Sequence, residues 1–83
     1  MKVYAVIEEY DPYVSYPDIE SRAELRIHGI YHKKERALEL RNELAREEAK
    51  DYDIEIDESD YKNPVRPIVV LGSEYYIQEY EAE

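Results

Sequence analysis

The sequence predicts an α+β fold: an antiparallel sheet of about four to five strands with one long helix packed on one face, in the order β-β-α-β-β-β. Three observations predict it. Residues Lys33–Lys50 carry the period of an amphipathic helix. Stretches on both sides of that helix alternate with period two, as half-buried strands do. A single helix flanked by runs of strands is the pattern of an antiparallel sheet covered on one face. The 83 residues suit one domain, 1–83.

Lys2–Tyr10, KVYAVIEEY, reads as the first strand. Val3, Ala5 and Ile7 alternate with Tyr4 and Val6, so both faces are apolar, which suits a central strand. Asp11–Arg22 reads as a loop, with two prolines among Tyr13, Tyr16, Asp18 and Glu20. At about 12 residues it is long for a hairpin connection, and loops of that length are often functional. Glu24–Tyr31, ELRIHGIY, is the second strand. Strict alternation puts Leu25, Ile27, Gly29 and Tyr31 on one face and Arg26, His28 and Ile30 on the other. Gly29 marks a close approach of the backbone by another group, such as a packed helix.

The helix, Lys33–Lys50, is rich in Ala, Leu, Glu, Lys and Arg, all good helix formers. Ala37, Leu40 and Leu44 form one apolar stripe; Leu38, Ala45 and Ala49 form a second. Lys34, Arg41 and Glu48 run between them. Either these long side chains snorkel at the margin of a single core, or one stripe covers the sheet and the other joins a homodimer through the helix. The outer face carries Glu35, Glu39, Glu43 and Glu47, offset by Arg36, Arg46 and Lys50, and reads as solvated.

DYDIEIDESD, residues Asp51–Asp60, alternates Tyr52, Ile54 and Ile56 with Asp51, Asp53, Glu55 and Asp57, and reads as a third strand with one apolar and one carboxylate face. Tyr61–Pro67 is a loop and Ile68–Leu71 a short strand. Gly72-Ser73 fits a two-residue hairpin turn with glycine first. Glu74–Glu81 is the last strand, with Tyr75 and Ile77 facing one way and Tyr76, Gln78 and Tyr80 the other.

Charge is the strongest compositional fact. Eleven Lys and Arg stand against 21 Asp and Glu, a net of −10. A chain this acidic is a poor partner for nucleic acid or an anionic membrane, which attract clustered Lys and Arg. The charge is also uneven. Residues 1–24 carry two bases and six acids, net −4; residues 25–50 carry seven and five, net +2; residues 51–83 carry two and ten, net −8. All ten aromatics are Tyr. Tyr4, Tyr31 and Tyr52 suit the core, and others suit a binding surface, where Tyr is enriched.

No chemistry announces itself. There is no cysteine, and the two glycines make no phosphate loop. Ser15, Ser21, Ser59 and Ser73 lack a triad context. His28 and His32 have no metal-ligand spacing, and His32 falls near the helix N-cap. The expectation is a cytoplasmic non-enzyme without cofactor or metal, which binds a basic surface of another protein. Asp53, Glu55, Asp57, Glu58 and Asp60 would meet Lys and Arg; Tyr61, Tyr76 and Tyr80 would anchor apolar contacts. Carboxylates on alternate strand residues stand about 6.6 Å apart. Phosphates of one DNA strand recur about every 3.4 Å. Imitation of a nucleic acid therefore needs a second acidic row, from Glu8, Glu9 and Asp11, from Glu74, Glu79, Glu81 and Glu83, or from a second copy. Two other readings stand beside this one. One is a self-associating accessory domain whose acid only solvates it. The other is a sponge for a nucleotide signal held by Arg22, Arg26 and Arg41.

MKVYAVIEEY, IHGIYHKKERALEL with its Gly29-Ile30-Tyr31 step, and the closing YYIQEYEAE resemble a pattern in small proteins of bacteriophages and other mobile elements. There a strand pair, a Lys/Glu-rich helix and a Tyr-rich acidic strand follow one another. The resemblance covers about half the chain and leaves Asp51–Gly72 as an addition. It implies an anti-defence inhibitor of the anti-CRISPR or anti-restriction kind, acting on a host protein, and assigns no individual residue.

Overall fold

Apolar residues on both faces of the first stretch place it in the middle of a sheet, as strand β1 (Lys2–Tyr10). The computed structural model describes residues 1–10 and 24–82, and the loop expected over Asp11–Arg22 lies outside them. Strand β2 (Glu24–Tyr31) pairs with one edge of β1, and β4 (Ser73–Glu81) pairs with the other. The three-residue β3 (Ile68–Val70) flanks β4, so the order is β2-β1-β4-β3 and every pairing is antiparallel. Helix α1 (Lys34–Asp51) and the short α2 (Glu58–Lys62) cover one face of the sheet. Among the described residues no element covers the other face, and no helix is long and apolar enough to cross a membrane.

α1 packs through three fully buried alanines, Ala37, Ala45 and Ala49, whose small side chains let the helix lie close to the strands. Both predicted stripes turn to this one core: Leu38, Leu40 and Leu44 are half-buried beside the alanines. Of the polar row between the stripes, Arg41 and Glu48 are therefore at the centre of the buried face, not its margin, while Lys34 stays exposed. Arg41 is wholly buried there. Its guanidinium donates to the backbone oxygens of Asp60 (3.0 Å), Tyr61 (3.2 Å), Asn63 (2.6 Å) and Arg66 (3.3 Å), and to Asn42 Oδ1. These carbonyls gather at the C-terminal end of α2, so one side chain of α1 caps the second helix and ties down the chain after it.

The expected third strand does not form. α1 runs through Asp51 and ends in a Schellman motif. Asp53 takes φ 53°, its N–H donates to Lys50 O (3.3 Å), and the Ile54 N–H donates to Ala49 O (2.8 Å). Asp57 then caps α2: its carboxylate accepts from the Ser59 N–H (3.0 Å) and hydroxyl (2.9 Å). Between the caps, Ile54 and Ile56 pack on the core while Asp53, Glu55 and Asp57 stay exposed. The alternation is real, but it belongs to an extended linker held by its side chains.

Three further local readings change. β2 carries a bulge: Val6 pairs with Gly29 but Ile7 pairs with Ile27, which leaves His28 as the extra residue. Residues beyond the bulge swap faces, so Ile30 joins Leu25 and Ile27. Gly29 is approached by the Tyr31 ring, not by the helix; a Cβ there would stand 2.9 Å from that ring. The last hairpin turns through Leu71-Gly72, one residue earlier than expected, and it is Leu71 that takes the left-handed conformation (φ 51°). Finally, the α1 N-cap is Lys33, without a side-chain hydrogen bond, and His32 stands exposed before it.

Candidate partner-binding surface

The residues predicted to meet a partner fall into three places. Asp53, Glu55, Asp57 and Glu58 are exposed on the linker and the start of α2, and Asp60 is half-buried. The two caps and the half-buried Ile54 and Ile56 hold this acidic segment against the core. Hydrogen bonds from Ser59 hold the Asp57 carboxyl below its ordinary value, so it stays ionised in mild acid. Tyr61 is not an anchor on this surface. It is 7% exposed and sits among Ala45, Ala49, Ile68, Val70 and Tyr75, with the Arg46 guanidinium 4.5 Å above its ring. Tyr76 and Tyr80 lie on the opposite face of the sheet, paired with Ile7 and Val3. There burial, then the carboxylate of Glu9, pushes the Tyr76 hydroxyl above its ordinary value.

The candidate second rows do not stand beside the segment. Glu8 is buried. Glu9 and Glu74 pair with each other across the strands on the open face. Glu79 and Glu81 sit at the far end of β4, bridged to Lys2 (3.7 Å) and to the N-terminal ammonium (3.3 Å). Asp11 and Glu83 lie outside the described residues. On α1, Glu43, Glu47 and Asp51 form a separate exposed row at i, i+4 spacing. They rise about 6 Å per step, and the row ends two residues before Asp53.

Topology also sorts the charge by end. β1 closes at Tyr10 against Glu24 and Ser73, and α1 ends beside them. That end gathers Glu9, Glu24, Glu48, Asp51, Asp53 and Glu74. α1 begins at the other end, where Lys33, Lys34, Arg36, Lys2 and the N-terminus stand among fewer acids.

A cleft of about 340 Å³ opens at the acidic end, lined by Glu8, Tyr10, Arg26, Glu48, Tyr52, Ser73 and Tyr75. Its polar groups serve one another. The buried Ser73 hydroxyl lies between the two carboxylates, 3.3 Å from Glu8 Oε2 and 3.2 Å from Glu48 Oε1. His28 Nε2 lies 2.9 Å from Glu8 Oε1, and the Tyr75 hydroxyl donates to Glu48. Burial raises the Glu48 carboxyl above its ordinary value; the Ser73 hydrogen bond opposes this, while Glu8 and Asp51 add to it. Among the described residues no buried side-chain nitrogen or oxygen lacks a partner, and no group of three or more His, Asp or Glu is arranged to hold a metal. The cluster is a polar clamp between α1 and the sheet. Tyr52, expected in the core, instead follows the helix end and is 57% exposed at the rim of the cleft.

Sequence reasoning missed the two members of this architecture that α1 supplies, Arg41 and Glu48. Their signal was present: both lie in the middle of the apolar arc, where a solvated side chain has no place. Arg41 is fully engaged by carbonyls and Arg26 pairs with Glu24 (3.6 Å), so neither is a ready phosphate ligand; Arg22 lies outside the described residues. No protein-family model, curated protein or solved structure matches the chain.

Proposed function

We propose that this protein is a non-catalytic, acidic binding protein that inhibits a host nucleic-acid-handling or defence protein by occupying its basic nucleic-acid site. The observation that carries the reading is the segment Asp51–Asp60. Its carboxylates Asp53, Glu55, Asp57 and Glu58 are exposed in a row, while Ile54 and Ile56 between them are pinned to the core. A charged row already held in place loses little freedom on binding and steers a basic partner toward it. On α1, Glu43, Glu47 and Asp51 form a second exposed row that ends two residues before Asp53. Each row is about half as dense as the phosphates of one strand, so two together approach that density.

The test is capture from a bacterial lysate on the immobilised protein at low and high salt, with the bound proteins identified. Association rates of the captured protein are then measured against wild type and a variant carrying Asp53→Asn, Glu55→Gln and Asp57→Asn. The reading expects nucleic-acid-binding proteins, released by salt, and an association rate at least several-fold slower for the variant at low salt. Captured proteins without a basic site, or an unchanged rate, overturn it.

A further inference from the structure

The face of the sheet away from α1 is the molecule's apolar surface. Cross-strand partners share a face, so Leu25, Ile27, Ile30, Val69, Tyr76 and Tyr80 all lie on it. Among the described residues nine large hydrophobic side chains are exposed, and five of them are here; Leu25, Ile27 and Ile30 are 63%, 64% and 62% exposed. The β2 bulge builds this patch, because without the extra His28 the side chain of Ile30 would point to the helix side. Leu25, Ile27, Ile30, Tyr76 and Tyr80 adjoin across Val3, Ala5 and Ile7 of β1, while Glu9 and Glu74 separate Val69 from them, and an exposed apolar patch of this kind marks a contact surface.

We infer that a second copy of this chain packs on this face, sheet against sheet, and that the acidic segment stays free on the outside of the dimer. This goes beyond the proposed function and does not depend on it. The area is sufficient. Strands of this length, at about 3.3 Å per residue and about 4.8 Å apart, present about 500 Å² per copy. Two copies bury about 1,000 Å², the lower bound of a specific interface, so the dimer is weak and concentration-dependent. The charge distribution selects the arrangement. The open face carries its carboxylates, Glu9 and Glu74, at one end, and the uncharged Val3, Gln78 and Tyr80 toward the other. A two-fold axis running across the strands lays the acidic end of each copy over the amino-terminal end of its partner. An axis along the strands would stack four carboxylates together. α1 offers no comparable surface, since both of its apolar stripes face the core.

Sedimentation or light scattering across micromolar to millimolar concentration tests the inference. The average mass should rise from 10.0 kDa toward twice that value. The rise should come at lower concentration in high salt, because each copy carries −10. Binding of a basic partner has the opposite salt dependence, so the two readings fail separately. Ile27→Thr with Ile30→Thr keeps β-branched residues on the strand and should abolish the rise; Leu25→Thr alone should shift it at least several-fold, and serves if the double variant melts early. Glu39→Asp, on the outer face of α1, keeps the charge and should leave the curve in place. A wild-type mass that stays at one chain, or a curve moved by Glu39→Asp and not by the sheet variants, overturns the inference.

Discussion

Arg41 shows how much one side chain can organise in a small domain. Among the described residues its guanidinium has no carboxylate in contact; it is surrounded by carbonyl oxygens and the Asn42 side chain. Burial pulls it below its ordinary value while the Asp60 charge pushes back, and the carbonyls keep the buried cation satisfied. Replacing it strands those carbonyls. Arg41→Met keeps most of the volume and should still cost about 3 kcal/mol or more, a large share of the stability of any small domain. The denaturant midpoint measures it, and a loss under about 1 kcal/mol would show that water replaces the guanidinium at no penalty. Asp53 is the reverse case. It holds a left-handed conformation that glycine adopts freely, and its charge sits at the negative end of α1. Asp53→Gly should therefore stabilise the fold by up to about 1 kcal/mol, visible as a raised thermal midpoint. A lowered midpoint would mean that the aspartate makes a compensating contact.

The elements that were legible from the sequence are those with a long, unbroken period. β1, α1 and β4 lie within a residue or two of their expected bounds, because nine to eighteen residues of consistent patterning leave no competing structure. The short stretches failed where a local device outweighed the pattern. Asp51–Asp60 alternates like a strand, yet it pairs with neither edge strand, β2 nor β3. The Schellman motif and the Asp57 cap satisfy its backbone instead. In β2 the one-residue bulge reverses the faces beyond Ile27, and nothing in ELRIHGIY marks where the extra residue falls. It does, however, place the imidazole of His28 on Glu8. The turn shifted by one because the pairing of Val70 with Ser73 closes the hairpin and leaves only Leu71-Gly72 to make it.

Across the whole molecule the acid is arranged by end, and this gives its stability a pH dependence of known sign. Glu48 faces Glu8 and Tyr10 on β1, Arg26 on β2, Ser73 and Tyr75 on β4, and Asp51 and Tyr52 at the end of its own helix. Its carboxyl is raised in the folded state, so folding takes up a proton there. That contribution is fully present below the unfolded value, near 4.5, and is lost as pH rises through the folded one. Asp57 has the opposite sign: its value is depressed, so its contribution holds above about 3.8 and is lost as pH falls further. The thermal midpoint should climb as pH falls toward about 4.5 and drop again below about 3.8. Glu48→Gln should flatten the climb; an identical climb in that variant would assign it to surface charge alone. The α+β class, the helix, the central strand and the uneven acid are properties of composition and period, which are local and survive in any arrangement of the parts. Which carboxylates stand together, which tyrosines are buried and which apolar face is left open depend on register, caps and the direction of one helix. Those contacts join residues 20 to 65 positions apart, as Glu8 with His28 and Ser73 with Glu8 do, and only the folded chain brings them within reach.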